Sequence, residues 1–405
     1  MNILYVSTLC SDSKFREIFK YSSIKPQQQA QKFHSLLSKG LKISAASVYV
    51  MSRPPVNGYI ERKPGMSFYI EVDNSITYHY LKLVNFPILK HFFVFTSGFI
   101  NCIAWSVKKK NQEKVVICDF LSLTISASAL FASKICGVKT LAIVTDLPEY
   151  MQNYTVQKSS IRSITYSLYR KICNFFMYRY DSYIILTQQM NGLVNPNNKP
   201  YVVIEGMVDL AMKNVPNLLE NKCEERIIIY AGTLHEKYGV KKLIEALLKL
   251  KMDDIRLWLF GSGEMDDEII RYEKLDHRIR YFGVVPNEVV VKEQLKATLL
   301  VNPRSSSEEF AKYSFPSKNM EYMASGTPVL TAPLPGMPEE YFDYVYLFED
   351  ESVEGMAKTL ARILSLPKEE LHAKGAAAKE FVLREKNHIV QANRIIDLIR
   401  EAGRK

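Results

Sequence analysis

No glycine precedes Gly40, so a glycine-rich phosphate loop cannot follow a first strand at Ile3–Ser7. Six cysteines, Cys10, Cys102, Cys118, Cys136, Cys173 and Cys223, are scattered without paired spacing. That excludes a disulfide framework or a zinc site and predicts reduced, mostly buried thiols in a cytoplasmic protein. No Asp-x-Asp pair occurs, since Asp253-Asp254 and Asp266-Asp267 are adjacent doublets. A Mg²⁺ or Mn²⁺ held in that way on a diphosphate is therefore not expected, and neither a metal nor another cofactor is predicted. Long apolar runs are missing as well. The aromatic-rich segment Phe86–Val107 is interrupted by Lys90 and His91, which leaves 16 residues from Phe92 to Val107, short of the roughly 20 that span a bilayer. Met1–Ser7 has no basic start or long apolar stretch, so no signal peptide is expected.

A chain of 405 residues with 47% apolar content is too long for one core and predicts two domains of about 200 residues. The formal charge of +10 is uneven: residues 1–205 hold 24 Lys/Arg against 11 Asp/Glu, a net of +13, and the rest is slightly acidic. An excess of this kind marks a domain that meets an anionic surface. No nucleic-acid module or basic-aromatic repeat accompanies it, so nucleic acid is not the expected partner. Phe86–Val107 ends on Lys108-Lys109-Lys110, and Lys158–Arg179 interleaves Arg162, Arg170 and Lys171 with Leu168, Tyr169, Phe175 and Phe176. Each reads either as a helix of the first domain or as a basic interfacial helix at an anionic membrane.

Strands are predicted at Ile3–Ser7, Ser44–Val50, Ile76–His79, Val115–Cys118, Lys139–Val144 and Tyr183–Leu186. Helices are predicted at Pro26–Ser38, Ser97–Lys109, Leu123–Ile135 and Ser160–Tyr178. A second series of strands follows at Arg226–Tyr230, Arg256–Phe260, Arg280–Phe282, Leu299–Asn302 and Pro328–Leu330. Such alternation predicts an α/β protein with two doubly wound, mainly parallel sheets, which collect ligands at the carboxyl ends of their strands. In the first domain those ends are Ser7–Asp12, Asp119 and Thr145–Glu149.

The most informative stretch runs from Leu299 to Glu321. Leu299-Leu300-Val301 reads as a buried strand, and Pro316 suits the first turn of a helix, where a missing N–H costs nothing. The helix aims free N–H groups and a positive dipole end at the loop, as a phosphate requires. Lys318 adds a cation in that turn, Ser317 lies beside it, and Glu321 offers two acceptor oxygens to a vicinal diol. The helix ends at Gly326-Thr327-Pro328.

This stretch resembles the donor-binding end of the retaining family 4 glycosyltransferases, which use nucleotide sugars. Glu321-Tyr322-Met323-Ala324-Ser325-Gly326-Thr327-Pro328-Val329 matches the second half of their E-x7-E pattern. Tyr230-Ala231-Gly232-Thr233-Leu234, Phe260-Gly261-Ser262-Gly263-Glu264, Tyr281-Phe282-Gly283-Val284-Val285-Pro286 and Gly206-Met207-Val208-Asp209 extend the resemblance over about 130 residues. The chain departs from the family at three places. Tyr313 stands where the first glutamate is expected, Thr233 where an arginine is, and Thr145 where a histidine precedes Asp146.

The resemblance implies a GT-B fold of two Rossmann-like domains facing a cleft: residues 1–205 for the acceptor, 206–385 for the donor, and a C-terminal helix, 386–405, crossing back to the first domain. It implies transfer of a hexose-type sugar, with retention, from a nucleoside diphosphate sugar to a glycan or lipid-linked acceptor in cell-surface polysaccharide synthesis. The donor-binding candidates are Gly232, Thr233, Lys237, Gly261, Gly263, Val285, Ser317, Lys318 and Glu321. Lys318, Asp146 and Glu309 are the catalytic candidates, Glu309 replacing the missing glutamate. A peripheral place on the inner face of the plasma membrane would suit a lipid-linked acceptor. Two alternatives stay open: a nucleotide-sugar epimerase of the same fold, and a non-catalytic, membrane-bound nucleotide-sugar-binding protein.

Overall fold

The computed structural model describes residues 1–44, 47–60, 69–81, 87–147 and 160–404. The chain divides into two units, Met1–Met207 with His388–Lys405, and Val208–Asn387.

The first unit is built on an eight-stranded sheet. In spatial order its strands are Tyr201–Val203, Ser182–Ile185, Lys139–Val144, Lys114–Asp119, Asn2–Ser7, Ser47–Ser52, Ile76–Tyr80 and Ile70–Asp73. All neighbours are parallel except the last pair. Asn2–Ser7 is buried along its whole length, as a central strand covered on both faces must be. The chain order reverses between Asn2–Ser7 and Lys114–Asp119.

Three differences from the sequence reading have local causes. Ser44 does not open a strand; it ends the helix Gln28–Ser44. Leu36, Leu37 and Leu41 continue the helical stripe past Ser38 into the core, and the helix His388–Arg404 packs on it. Gly40 permits the approach, because a Cβ there would overlap the His388 carbonyl oxygen. The antiparallel hairpin Ile70–Asp73 to Ile76–Tyr80 turns through Asn74 and Ser75, at φ 49° and 61°. Such turns favour Asn-Gly, and without the glycine the sequence gives little warning. The helix expected from Ser97 starts at Pro87, at the position where proline costs no hydrogen bond. Phe86, Pro148, Glu149 and Lys158 lie outside the described residues. Among the described residues no helix is long and apolar enough to cross a membrane.

The second unit has a six-stranded parallel sheet ordered Ile279–Gly283, Ile255–Phe260, Arg226–Ala231, Leu299–Asn302, Val329–Thr331 and Tyr346–Leu347. Alternate residues of Arg226–Ala231 serve two cores. Ile228 and Tyr230 meet the helices Val240–Leu248 and Val353–Leu364 on one face. Ile227 and Ile229 meet Ser317–Ser325 and Lys368–Glu385 on the other. The strand order reverses between Arg226–Ala231 and Leu299–Asn302, so the chains leaving these two strands diverge to opposite faces. The gap left at their carboxyl ends is where doubly wound sheets hold ligands.

Candidate functional site

Four loops meet at the carboxyl ends of the C-terminal sheet, and glycines allow their backbones to touch. A Cβ on Gly261 would overlap the Gly232 carbonyl, and one on Gly263 the Leu234 carbonyl. Hydrogen bonds close the same seam: Gly232 N–H donates to Phe260 O at 2.9 Å, Leu234 N–H to Ser262 O at 3.1 Å, and Gly261 N–H to Gly283 O at 2.8 Å. A Cβ on Gly239 would overlap the Pro303 carbonyl, which ties in the loop after Leu299–Asn302. These glycines therefore shape the floor of the site through close backbone packing. Val285 follows the Gly283 turn at the edge of this floor, and Thr233, exposed, accepts the Tyr230 hydroxyl on its carbonyl at 2.8 Å.

The helix Ser317–Ser325 is fixed over that floor by its buried residues. Asn302 Nδ2 donates to Asn319 Oδ1 at 2.9 Å, which joins the first turn to the strand before it. The Tyr322 hydroxyl accepts from Ala231 N–H at 2.7 Å and donates to Ala231 O at 3.2 Å, clamping the helix to the neighbouring strand end. Ser317 is exposed at the helix start, and Lys318, half-buried, projects over Tyr230 with Nζ 4.0 Å from the ring centroid. The same Nζ fills the space beside Gly232 that a side chain there would need. Burial and then the Arg304 charge push the Lys318 ammonium down to about 7, against a smaller upward pull from Glu321. Glu321, one turn inward, accepts from Gln294 Nε2 at 3.3 Å.

Arg304 escaped the sequence reading. It stands two residues past Leu299–Asn302, its guanidinium 5.0 Å from the Tyr238 ring and 5.1 Å from the Phe310 ring. Nη1 donates to Ser314 Oγ at 3.0 Å. Its signal was its position, a cation directly after a central strand. Lys237 rests above the ring of its neighbour Tyr238, 5.1 Å from the centroid. Lys237 and Arg304 thus belong to loops that share one seam, and Lys318 lies in the first turn of the helix fixed over it. Glu309 is exposed at the start of the turn Glu309–Tyr313. Asp146 belongs to the other unit, exposed just past Lys139–Val144. Among the described residues no group of three or more His, Cys, Asp or Glu side chains is placed to hold a metal ion.

Residues 213–381 match the sequence model of the family described as "Glycosyl transferases group 1". No curated protein matches the chain in sequence. Among solved structures, sucrose-phosphate synthase from Thermosynechococcus elongatus superposes with a TM-score of 0.66 at 15% identity, covering 99% of both chains. The HepE protein of Anabaena in complex with UDP gives 0.62 at 13% identity over 99% of this chain and 100% of that one. A glycosyltransferase from Rickettsia africae gives 0.64 at 17% identity, over 99% and 98%. The expected fold is borne out: the protein has the GT-B fold, and within it residues 213–381 match the sequence model of the group 1 glycosyl transferases.

Proposed function

We propose that the protein is a retaining glycosyltransferase that moves a hexose-type sugar from a nucleoside diphosphate sugar to a glycan or lipid-linked acceptor, in cell-surface polysaccharide synthesis. The observation that carries this is Lys318, held at a helix start over Tyr230 and Gly232 where the strand order reverses. Charge builds on the leaving diphosphate as the glycosidic bond breaks, and Lys318 and the helix N–H groups meet it with fixed positive charge. A lysine pushed down to about 7 is only partly charged near neutral pH and takes up the remaining fraction of a proton when the dianion arrives, so binding and charging reinforce each other. Glu321 receives the ribose hydroxyls, and the Gly261–Gly263 and Gly283–Val285 turns border the base. The incoming hydroxyl attacks from the face the diphosphate leaves, which assists by taking the proton; no protein nucleophile is needed. Glu309 pairs with sugar hydroxyls, and Asp146 belongs to the acceptor side. That HepE is described in complex with UDP supports UDP as the first nucleotide to try.

The test is the unfolding temperature of the full chain with UDP, GDP, ADP and CMP. A ligand of the native state at a hundred times its Kd stabilises by about 2.7 kcal/mol. One nucleotide should raise the transition clearly and lose that effect in Glu321→Ala. If none does, the donor reading fails.

The N-terminal unit also has features of a peripheral membrane protein. Phe92, Ile100, Val107, Ile135, Leu168 and Phe175 are exposed. Ring contacts of Phe95 with Phe131 at 6.3 Å and of Phe131 with Phe176 at 5.7 Å place the three helices Pro87–Lys108, Leu123–Ile135 and Ser160–Met177 side by side. Lys108, Lys109 and Lys110 close the first of these helices, Arg170 and Lys171 are exposed on the third, and each basic residue near an acidic leaflet contributes about 1 kcal/mol. Co-sedimentation with phosphatidylglycerol vesicles should occur at low salt, weaken at high salt, and fall when these five become Gln. Binding indifferent to both changes would overturn the attachment.

A further inference from the structure

The carboxyl ends of the N-terminal sheet hold a second cluster of charge, in which one cation is left over. Asp119, buried at the end of Lys114–Asp119, is committed within the fold. Its Oδ2 lies 3.6 Å from His34 Nε2 and accepts from Ser122 Oγ at 2.8 Å, and its Oδ1 accepts from Leu121 N–H at 3.2 Å. His34 Nδ1 is hydrogen-bonded to the Tyr5 hydroxyl at 2.6 Å.

Arg53 follows directly on Ser47–Ser52, and its N–H donates to the Ser7 carbonyl at 3.0 Å. Its guanidinium therefore starts from the same edge of the sheet as Asp119. Arg53 is partly buried, its Nε is enclosed without a hydrogen-bond partner, and it makes no ion pair among the described residues. Lys90 Nζ donates to the carbonyl of Val56 at 3.3 Å, which brings a second cation onto the segment that Arg53 begins. Burial lowers both groups; the Asp119 charge opposes the shift of Arg53 only in part, and the Arg53 charge lowers Lys90 further. Two cations withdrawn from water, with the nearby carboxylate already committed, carry a desolvation cost that an anion from outside would offset.

We propose that Arg53 and Lys90 receive a phosphoryl group at the carboxyl edge of the N-terminal sheet, and that this group belongs to the acceptor. The planar fork of Arg53 suits two phosphate oxygens, and Lys90 supplies the second charge that a dianion needs. The assignment to the acceptor rests on the glycosyltransferase reading; the anion site does not. An acceptor of this class is a phosphorylated sugar or a lipid-linked phosphate.

The test follows the unfolding temperature of the full chain, saturated with UDP so that the donor site is filled, against inorganic phosphate. Sodium chloride at equal ionic strength is the reference. Wild type should show a saturable rise. Arg53→Gln should weaken it about ten- to a hundredfold, as expected for loss of a charge-assisted pair, and Lys90→Gln by a smaller factor. Arg53→Lys keeps the charge without the fork and should fall between, which guards against a Gln variant that folds poorly. Water-soluble dibutyryl phosphatidic acid, titrated the same way, separates the sources. Affinity about tenfold above that of phosphate, lost in Arg53→Gln, assigns the site to a lipid-linked phosphate; equal affinity assigns it to a sugar phosphate. No saturable rise in wild type, or a rise that Arg53→Gln leaves unchanged, overturns the site. Stabilisation by phosphate without stabilisation by UDP would instead sink the donor reading and leave this site standing.

Discussion

Asp119 in the N-terminal unit and Lys318 in the C-terminal unit occupy equivalent stations, each at the strand-order reversal of its sheet, yet they are surrounded in opposite ways. Asp119 has a donor for every lone pair that counts: the His34 ring, the Ser122 hydroxyl and the Leu121 N–H. Burial works against its charge, but those partners prevail and hold the carboxyl below its usual range. Lys318 faces an aromatic ring and a second cation, and burial drives it down to about 7. The first arrangement is complete without a ligand, whereas the second is improved by an anion. A buried charge satisfied by its own fold reads as structure, and one left opposed reads as a binding group.

Substitutions separate the two roles. Asp119→Ala should have the largest effect, destabilising the protein by about 3–5 kcal/mol because it strands a buried partner. Chemical denaturation would show it, and a loss below about 1 kcal/mol would erase the contrast. The Asp119 contribution has a definite pH sign. A depressed folded pKa means that stability is present above the unfolded value and is lost as pH falls through the folded one.

Lys318→Ala should do the reverse, lowering turnover about a hundred- to a thousandfold while leaving the unfolding midpoint unchanged or higher, since a desolvated cation is removed. A variant that is destabilised and retains its turnover would place Lys318 with Asp119.

The Arg304 reading is sharpened by pH. Donor affinity in wild type should weaken as pH rises above about 7, where the free enzyme's Lys318 loses its proton. Arg304→Ala removes a like charge, so the break should move to higher pH while affinity at pH 6 drops about tenfold. An unmoved break would mean that Arg304 does not act on Lys318. The smallest expected effect is that of chelation: EDTA should leave activity unchanged, and activity that disappears and returns with Mn²⁺ would refute metal independence.

The C-terminal unit was the more legible half because its chemistry is local in sequence. Leu299–Asn302, the Pro316 helix start, Lys318 and the Gly326 stop fall within a single strand–helix–strand run, and the structure keeps them in that order. The glycines were visible as residues but not as contacts. Nothing in the spacing of Gly232, Gly261 and Gly263 says that one backbone lies against another, because the seam joins loops about 30 residues apart. Arg304 was hidden for the same reason: its partners Tyr238 and Phe310 come from two loops. In the N-terminal unit six of the eight strands of the sheet were readable from their apolar runs, but Ile70–Asp73 and Tyr201–Val203 were not. The Tyr5–His34–Asp119 chain was not, since it joins a strand, a helix and another strand across 114 positions of sequence. His34 taken alone looks like any other helical histidine.

The space beside Gly232 has a consequence for how this chain can change over generations. The Lys318 ammonium occupies the volume that any side chain at position 232 would claim, and the backbone there, at φ +154°, already disfavours one. Acquiring alanine at 232 therefore expels the lysine, whereas losing the lysine removes only one of the two objections to alanine. A side chain at 232 would swing the flexible end of the lysine aside, so a descendant that gains one should lose the lysine's place over the Tyr230 ring even if it keeps the lysine itself.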